Sequence, residues 1–184
     1  MNEDSLQAEH ATGTELTNLL TDVAENLSIN FDQWDEQYVS GPSLYFVIVA
    51  DVDLGQYADP LGNNRWPVDI ARIATESRDA FVEAAREVAF KRDGAVIITT
   101  DGTIQEQMVR IRSPSTDEVK GREEINYADW MGTKHLSAVE ISVREEVLAA
   151  VTISEENGRV SVFRDGDFTD YERDELGGRW RTDE

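Results

Sequence analysis

The sequence predicts an α/β fold in which a mixed central β-sheet is flanked by helices. Three observations carry this. Two continuous apolar runs of strand length, at 44–50 and 95–99, read as strands buried on both faces. Asp101-Gly102 and Asn157-Gly158 are hairpin signals, which set antiparallel pairs beside the buried strands. Between these β-type runs lie segments whose apolar residues recur at helical spacing, and such interleaving gives a mixed sheet.

The elements follow in order. Residues 1–11 are polar and read as a frayed leader. Thr12 and Glu15 have the spacing of a capping box, and Leu16, Leu19, Leu20, Val23 and Leu27 recur on one face, predicting a helix over 13–27. Phe31, Trp34 and Tyr38 continue that spacing and predict a further helical turn or two before Gly41-Pro42. The run 44–49 is a central strand. The stretch 51–67, with Gly55, Pro60, Gly62-Asn63-Asn64 and Pro67, reads as a long loop or irregular hairpin, and Val68, Ile70 and Ile73 alternate weakly as a short strand. Ser77 caps a helix over 78–92 whose buried face is Phe81, Ala84, Ala85 and Val88, and Asp93-Gly94 ends it.

After the second buried strand and the Asp101-Gly102 turn, 103–112 mixes Ile104, Met108, Val109 and Ile111 with polar residues and reads as a half-exposed strand. A polar connection occupies 113–130. Gly132-Thr133-Lys134-His135 opens a helix to about Ile141, and 148–153 and 160–163 form a hairpin around Asn157-Gly158. Beyond Asp165-Gly166 only Phe168, Tyr171 and Trp180 interrupt a polar tail. The expected organisation is a leader at 1–12, one domain at 13–166 and a tail at 167–184.

Composition narrows the function. A chain of 184 residues is enough for one domain with a core, since 40 % of it is apolar. It has no cysteine, which removes disulfides, thiolate zinc sites and cysteine nucleophiles together. Its two histidines, His10 and His135, lie far apart, so a multi-histidine metal site within one chain is excluded. No apolar run approaches the ~20 residues of a membrane span. The acidic N-terminus lacks a signal-type apolar region, so the expected location is the cytoplasm, with no membrane partner.

Acidic residues number 38 against 17 basic ones, for a formal net charge of −21. No basic face is available for broad nucleic-acid binding. The acids are dispersed along the whole chain. Such a surface repels itself in dilute buffer, and the repulsion is screened in molar salt, where the Debye length is about 3 Å. This texture resembles that of proteins from salt-accumulating haloarchaea, a halophilic signature.

Three short polar clusters sit at predicted strand or helix ends, where α/β sheets hold ligands. Asp93-Gly94-Ala95 puts a carboxylate and a glycine before a buried strand. The carboxylate suits metal binding or proton acceptance from a hydroxyl, and the glycine lets a ligand approach the backbone; an Asp-Gly turn ending a helix has the same letters. Gly132-Thr133-Lys134-His135 gathers a hydroxyl, an ammonium and an imidazole at a helix N-terminus, the donors that phosphate needs; the plain alternative is a helix start capped by Thr133. Ser154-Glu155-Glu156-Asn157-Gly158 offers adjacent carboxylates, and Mg²⁺ favours one or two of these with phosphate oxygens; the alternative is a charged hairpin tip. An anionic substrate would also need a local basic patch, for which Lys91, Arg92, Lys134, Arg144 and Arg159 are candidates.

In order and spacing, Asp-Gly-Ala-Val-Ile-Ile at 93–98, Gly-Thr-Lys-His-Leu-Ser-Ala at 132–138 and Ser-Glu-Glu-Asn-Gly-Arg-Val-Ser at 154–161 resemble the diadenylate cyclase domain of the DisA N-terminal type, whose motifs run DGA, GTRHRAA and SEETG. The strand at 44–49 fits the first core strand of that family, and the resemblance covers roughly 15–166. Two positions depart from it. Lys134 keeps a cation without the bidentate fork of arginine, and Leu136 replaces a second cation. The absence of accompanying domains resembles a stand-alone soluble form.

The resemblance implies condensation of two ATP into cyclic di-AMP and two pyrophosphates, with Mn²⁺ or Mg²⁺, in a homo-oligomer containing at least one facing dimer. It implies that Asp93 helps activate the 3′-hydroxyl or holds the metal, and that Gly94 and Ala95 admit the nucleotide to the backbone. Gly132, Thr133, Lys134 and His135 would serve the phosphates, with His135 also in a catalytic role. Ser154 would bind the triphosphate, and Glu155 or Glu156 the metal. The competing readings are a degenerate cyclase fold that binds ATP or cyclic di-AMP without turnover, a metal-dependent phosphohydrolase and a structural subunit.

Overall fold

The computed structural model describes residues 3–50, 58–113 and 125–176, with side chains from residue 13 onward. The elements are α1 (Glu3–Asn30), β1 (Leu44–Val49), β2 (Ala58–Arg65), α2 (Arg78–Lys91), β3 (Val96–Thr99), β4 (Gln107–Ile111), α3 (Thr133–Ile141), β5 (Val147–Ile153), β6 (Val160–Arg164) and β7 (Asp167–Tyr171), closed by a 3₁₀ turn at Arg173–Glu175. Five strands form one sheet in the order β3-β1-β5-β6-β7, and β2 and β4 form a separate pair. β1 runs parallel to β3 and antiparallel to β5, so the sheet is mixed as predicted.

Every residue of β1 is buried, because both faces of the sheet are covered. Phe46 and Ile48 pack with Leu16, Leu20, Val23 and Leu27 of α1 and with Phe81, Ala84, Ala85 and Val88 of α2. Tyr45, Val47 and Val49 point the other way, toward Ala138, Val139 and Ile141 of α3. The period of two along the strand thus feeds two cores from one run of residues. α3 shares this second core with Ala58 of β2 and Val109 of β4.

Several local expectations differ from what forms. α1 begins at Glu3 and ends at Asn30, longer at both ends than the apolar stripe predicted. The aromatic spacing after it belongs to a packed turn and not to a helix. The Trp34 indole N–H donates to the Ser28 carbonyl at 3.0 Å, its ring meets Phe31 edge-on, and it sits so close over Gly41 that a Cβ there would collide with it. The expected strand near 68–73 is a series of turns with one isolated bridge, Ile73 to Thr103. The strand lies earlier, in β2, although Pro60 removes one donor there. The remainder of the loop predicted at 51–67, residues 51–57, lies outside the described residues.

The Asp101-Gly102 turn forms: the Asp101 carboxylate accepts from the Thr99 hydroxyl at 2.6 Å and the Thr103 N–H at 3.0 Å. The strand beyond it is shorter than predicted, and its ladder partner is β2, while the isolated bridges Ala95–Val109 and Ile98–Ile104 and the Gln105 N–H to Ile97 carbonyl bond tie the segment to the β3 region. Most of the polar connection, 114–124, lies outside the described residues. The tail predicted from 167 opens instead with β7, which continues the sheet by pairing with β6. Its alternation is weak because β7 is an edge strand, and polar edges are what keep sheets from pairing further. No helix among the described residues is long and apolar enough to cross a membrane.

Candidate active site

A cleft of about 620 Å³ opens beside the sheet, between the outer side of α3 and the β2–β4 pair. Its floor is Ser43, Leu44 and Tyr45 at the start of β1. One wall is Asp93, Gly94 and Ala95 with Arg110 and Ile111 of β4 and Arg112 just beyond it, and the other is Thr133, Lys134, Leu136, Ser137 and Glu140 of α3. The volume lies in the range of small-molecule sites.

Gly94 has a φ of +111°, and a Cβ on it would come within 2.4 Å of the Leu61 side chain and 3.1 Å of the Val109 carbonyl. The glycine is therefore required by the turn and by its neighbours within the protein. The Asp93 carboxylate accepts the Gly94 N–H at 2.9 Å, which fixes it at the end of α2. The Ala95 N–H donates to the Val109 carbonyl at 2.7 Å and locks this turn onto β4.

At α3 the cap is Gly132 and not Thr133, which is the first helical residue; among the described residues no side chain caps this end. A Cβ at Gly132 would meet nothing within 4 Å. Lys134 reaches inward. Its ammonium donates to the Ser43 hydroxyl and, at 3.2 Å, to the Ile153 carbonyl. Burial lowers its pKa below the ordinary lysine value, while the charges of Glu155 and Asp93 act to raise it. One ammonium thus senses a carboxylate from each of the other two clusters.

Not every candidate reaches the cleft lining. Ser154 is buried at the end of β5, where its hydroxyl accepts the Glu156 N–H at 3.3 Å and its carbonyl accepts the Gly158 N–H at 2.9 Å. Glu155 and Glu156 are exposed on this turn, beyond the cleft lining. His135 turns away onto the buried face of α3 with Ala138 and Val139. Its ring meets Trp130 edge-on at 4.9 Å, and among the described residues neither nitrogen finds a hydrogen-bond partner. Burial, with the charges of Lys134 and Arg159, pushes its pKa down to about 4, so it is neutral near pH 7.

Of the candidate basic residues, Arg92 and Lys134 line the cleft. Arg159 lies over the Trp130 ring at 4.4 Å and pairs with Asp170 and Glu172, and Arg144 lies 3.8 Å from Glu146. The sequence reading missed Ser43, Tyr45, Ser137, Arg110 and Arg112. The Tyr45 hydroxyl lies 3.0 Å from the Ser137 hydroxyl, and burial raises its pKa well above the usual phenol value. For Arg110 and Arg112 a signal existed: two residues apart in the strand expected over 103–112, they fall on one face of it.

Among the described residues no three His, Cys, Asp or Glu side chains come together as a metal cage. The carboxylates that bracket Lys134 suit a hard divalent cation that takes one or two protein oxygens and the rest from phosphate.

Fold and cleft together define a mixed-sheet α/β domain with a cationic cleft at the ends of its strands. A family model described as DAC, DisA bacterial checkpoint controller nucleotide-binding, matches residues 70–168, and the chain belongs to this diadenylate cyclase family. The resemblance carried by the three clusters is thereby borne out. A crystal structure of a double-cysteine mutant of DacA from Staphylococcus aureus is 19 % identical, with 88 % of this chain and 89 % of that one covered and a TM-score of 0.49. A structure described as the hypothetical membrane spanning protein from Bacillus cereus is 15 % identical, covers 83 % of this chain and has a TM-score of 0.55, which shows a shared fold. The match spans 61 % of that second chain. No curated protein matches.

Proposed function

We propose that the protein is a diadenylate cyclase that condenses two ATP into one cyclic di-AMP and two pyrophosphates. The observation that carries this reading is the position of the Lys134 ammonium, held in the cleft by Ser43 and Ile153 and bracketed by the charges of Asp93 and Glu155. Three clusters far apart in sequence thereby serve one centre. Family membership supports the nucleotide.

One cleft takes one ATP. Ring closure requires the 3′-hydroxyl of each ATP to attack the α-phosphate of the other, so two protomers present their clefts to each other. In each attack a new O–P bond forms, pyrophosphate leaves and the hydroxyl proton goes to Asp93 or to solvent. Asp93 is held toward the cleft by its bond to the Gly94 N–H, where it serves as proton acceptor or metal ligand. Lys134 and the uncapped first turn of α3, at Gly132 and Thr133, neutralise and orient phosphate oxygens. Ser154 shapes the turn that carries Glu155 and Glu156. Asp93 with Glu155 or Glu156 would hold Mg²⁺ or Mn²⁺, which supplies charge neutralisation on the phosphates. His135, neutral and enclosed by aromatic rings, sets the packing of α3 and does not touch substrate. ATP as substrate fits a cytoplasmic setting.

The experiment is incubation with ATP and Mn²⁺ or Mg²⁺ in molar KCl, with cyclic di-AMP read by mass spectrometry. Product that disappears in Asp93→Asn, with the fold retained by circular dichroism, supports the cyclase and the role of Asp93. Intact ATP with a folded wild-type protein overturns turnover and leaves nucleotide binding as the activity.

A further inference from the structure

The charge balance of the cleft is the reverse of that of the chain. Acids outnumber bases 38 to 17 overall, yet Arg92, Arg110, Arg112 and Lys134 line the cleft against only Asp93 and Glu140. On α3 the next cleft-lining position after Lys134 is Leu136, so this wall offers a single ammonium. The other cations come from the opposite side. Arg92, just beyond the end of α2, lies 3.8 Å from Glu87. Arg112 Nε lies 3.3 Å from the Asp59 carboxylate. Arg110 stands opposite Asp59 in the β2–β4 register, is exposed, and makes no ion pair among the described residues.

A patch of one sign inside a surface of the other sign concentrates ligands of the second sign. An arginine left uncommitted in such a patch keeps its whole fork of donors for an oxyanion.

We infer that Arg110 is a substrate-binding residue whose guanidinium takes the phosphate chain of the nucleotide from the β4 wall, opposite Lys134. Arg92 and Arg112, each shared with a carboxylate, add field more than direct bonds. This deepens the cyclase proposal and rests on its reading of the cleft as a nucleotide site. It also accounts for how a cleft with leucine at position 136 still balances a polyphosphate: the second cation comes from a strand on the other wall.

The test separates binding from turnover. The probe is 3′-deoxyadenosine triphosphate, which lacks the attacking hydroxyl, compared with 3′-deoxyadenosine, which lacks the phosphates, both measured by calorimetry over a series of KCl concentrations. Arg110→Gln is expected to weaken the triphosphate about tenfold, the size of one charge-assisted bond, to flatten its salt dependence and to leave the nucleoside unchanged. Arg110→Lys is expected to retain most of the affinity.

Unchanged triphosphate affinity in Arg110→Gln overturns the assignment. Equal losses for triphosphate and nucleoside also overturn it, since the guanidinium would then be contacting the base. A wild-type protein that binds neither probe overturns it as well. Failure of the cyclase proposal is read separately, as absence of cyclic di-AMP from ATP, while the triphosphate-specific effect of Arg110 persists.

Discussion

The Lys134 ammonium donates to the carbonyl of Ile153, at 3.2 Å, on the residue that immediately precedes Ser154-Glu155-Glu156. This one bond ties the first turn of α3 to the end of β5 and joins two of the three clusters. Lys134→Ala is expected to cut cyclic di-AMP formation by roughly a hundredfold, the usual loss when a preorganised donor to a charged transition state is removed. Burial lowers the pKa of Lys134 below 10.5, so its charge is lost at a lower pH than for an ordinary lysine. Activity that needs the ammonium is expected to fall on the alkaline side, below the usual lysine range. Lys134→Arg, charged throughout, is expected to remove that alkaline limb. A pH–rate profile of both proteins decides; a limb that persists in Lys134→Arg belongs to another group.

Gly94 meets two separate constraints, its φ of +111° and the 2.4 Å approach of Leu61 to any Cβ. Gly94→Ala is expected to destabilise the fold by about 1–3 kcal/mol, measured by chemical denaturation. Leu61→Ala in the same chain relieves the contact but not the backbone strain, so the double variant is expected to recover only part of the loss. Full recovery would mean that the turn tolerates alanine and that packing alone selects glycine.

What the sequence made legible follows physical lines. The run at 44–49 reads correctly because a strand buried on both faces has no polar residues to confuse its pattern. Asp93, Gly94, Ala95, Thr133 and Lys134 line one cleft, while Ser154, Glu155 and Glu156 stay on the neighbouring turn. β2 and β7 were hidden for a common reason: both lie at sheet edges, where Pro60 and the Asp167–Asp170 stretch satisfy edge chemistry at the expense of alternation. The Lys134–Ser43 contact joins residues 91 apart, which no local pattern encodes. The orientation of His135 was legible in principle, because His135, Ala138 and Val139 form an i, i+3, i+4 stripe that belongs to the buried face. A motif reading fixes residue types, whereas helical phase decides which of them meet the ligand.

Leu136 lines the cleft and is 37 % exposed. It holds no core together, and an arginine there has room to extend into solvent. Leu136→Arg is expected to leave the melting temperature unchanged and to raise ATP affinity by up to about tenfold through one added charge-assisted contact. Turnover is expected to stay level or rise. A collapse of activity with the fold intact would show that the apolar side chain itself supports the nucleotide, and calorimetry with ATP in metal-free buffer separates the two outcomes.

His135 gives the protein a specific sensitivity to acid. It is 8 % exposed, neither ring nitrogen has a hydrogen-bond partner among the described residues, and its pKa is pushed down from 6.5 to about 4, first by burial and then by the charges of Lys134 and Arg159. Between these two values the unfolded chain binds a proton at this ring and the folded chain does not, so folding stability rises with pH across the window and is lost as pH falls from about 6.5 toward 4. The loss is roughly 2 kcal/mol, less than the full shift converts to because a charged ring gains some solvent, or on the order of 5 °C in melting temperature for a chain of this size. His135→Phe suits the surrounding Trp130, Phe163 and Phe168 rings and carries no proton. It is expected to flatten the acid limb of melting temperature against pH, to leave neutral-pH stability equal or about 1 kcal/mol higher because two unpaired buried nitrogens are gone, and to keep turnover within a few-fold. The two proteins differ at this ring alone, so the difference between their melting curves isolates it. A variant that folds with a flattened limb yet makes no cyclic di-AMP would return His135 to the substrate.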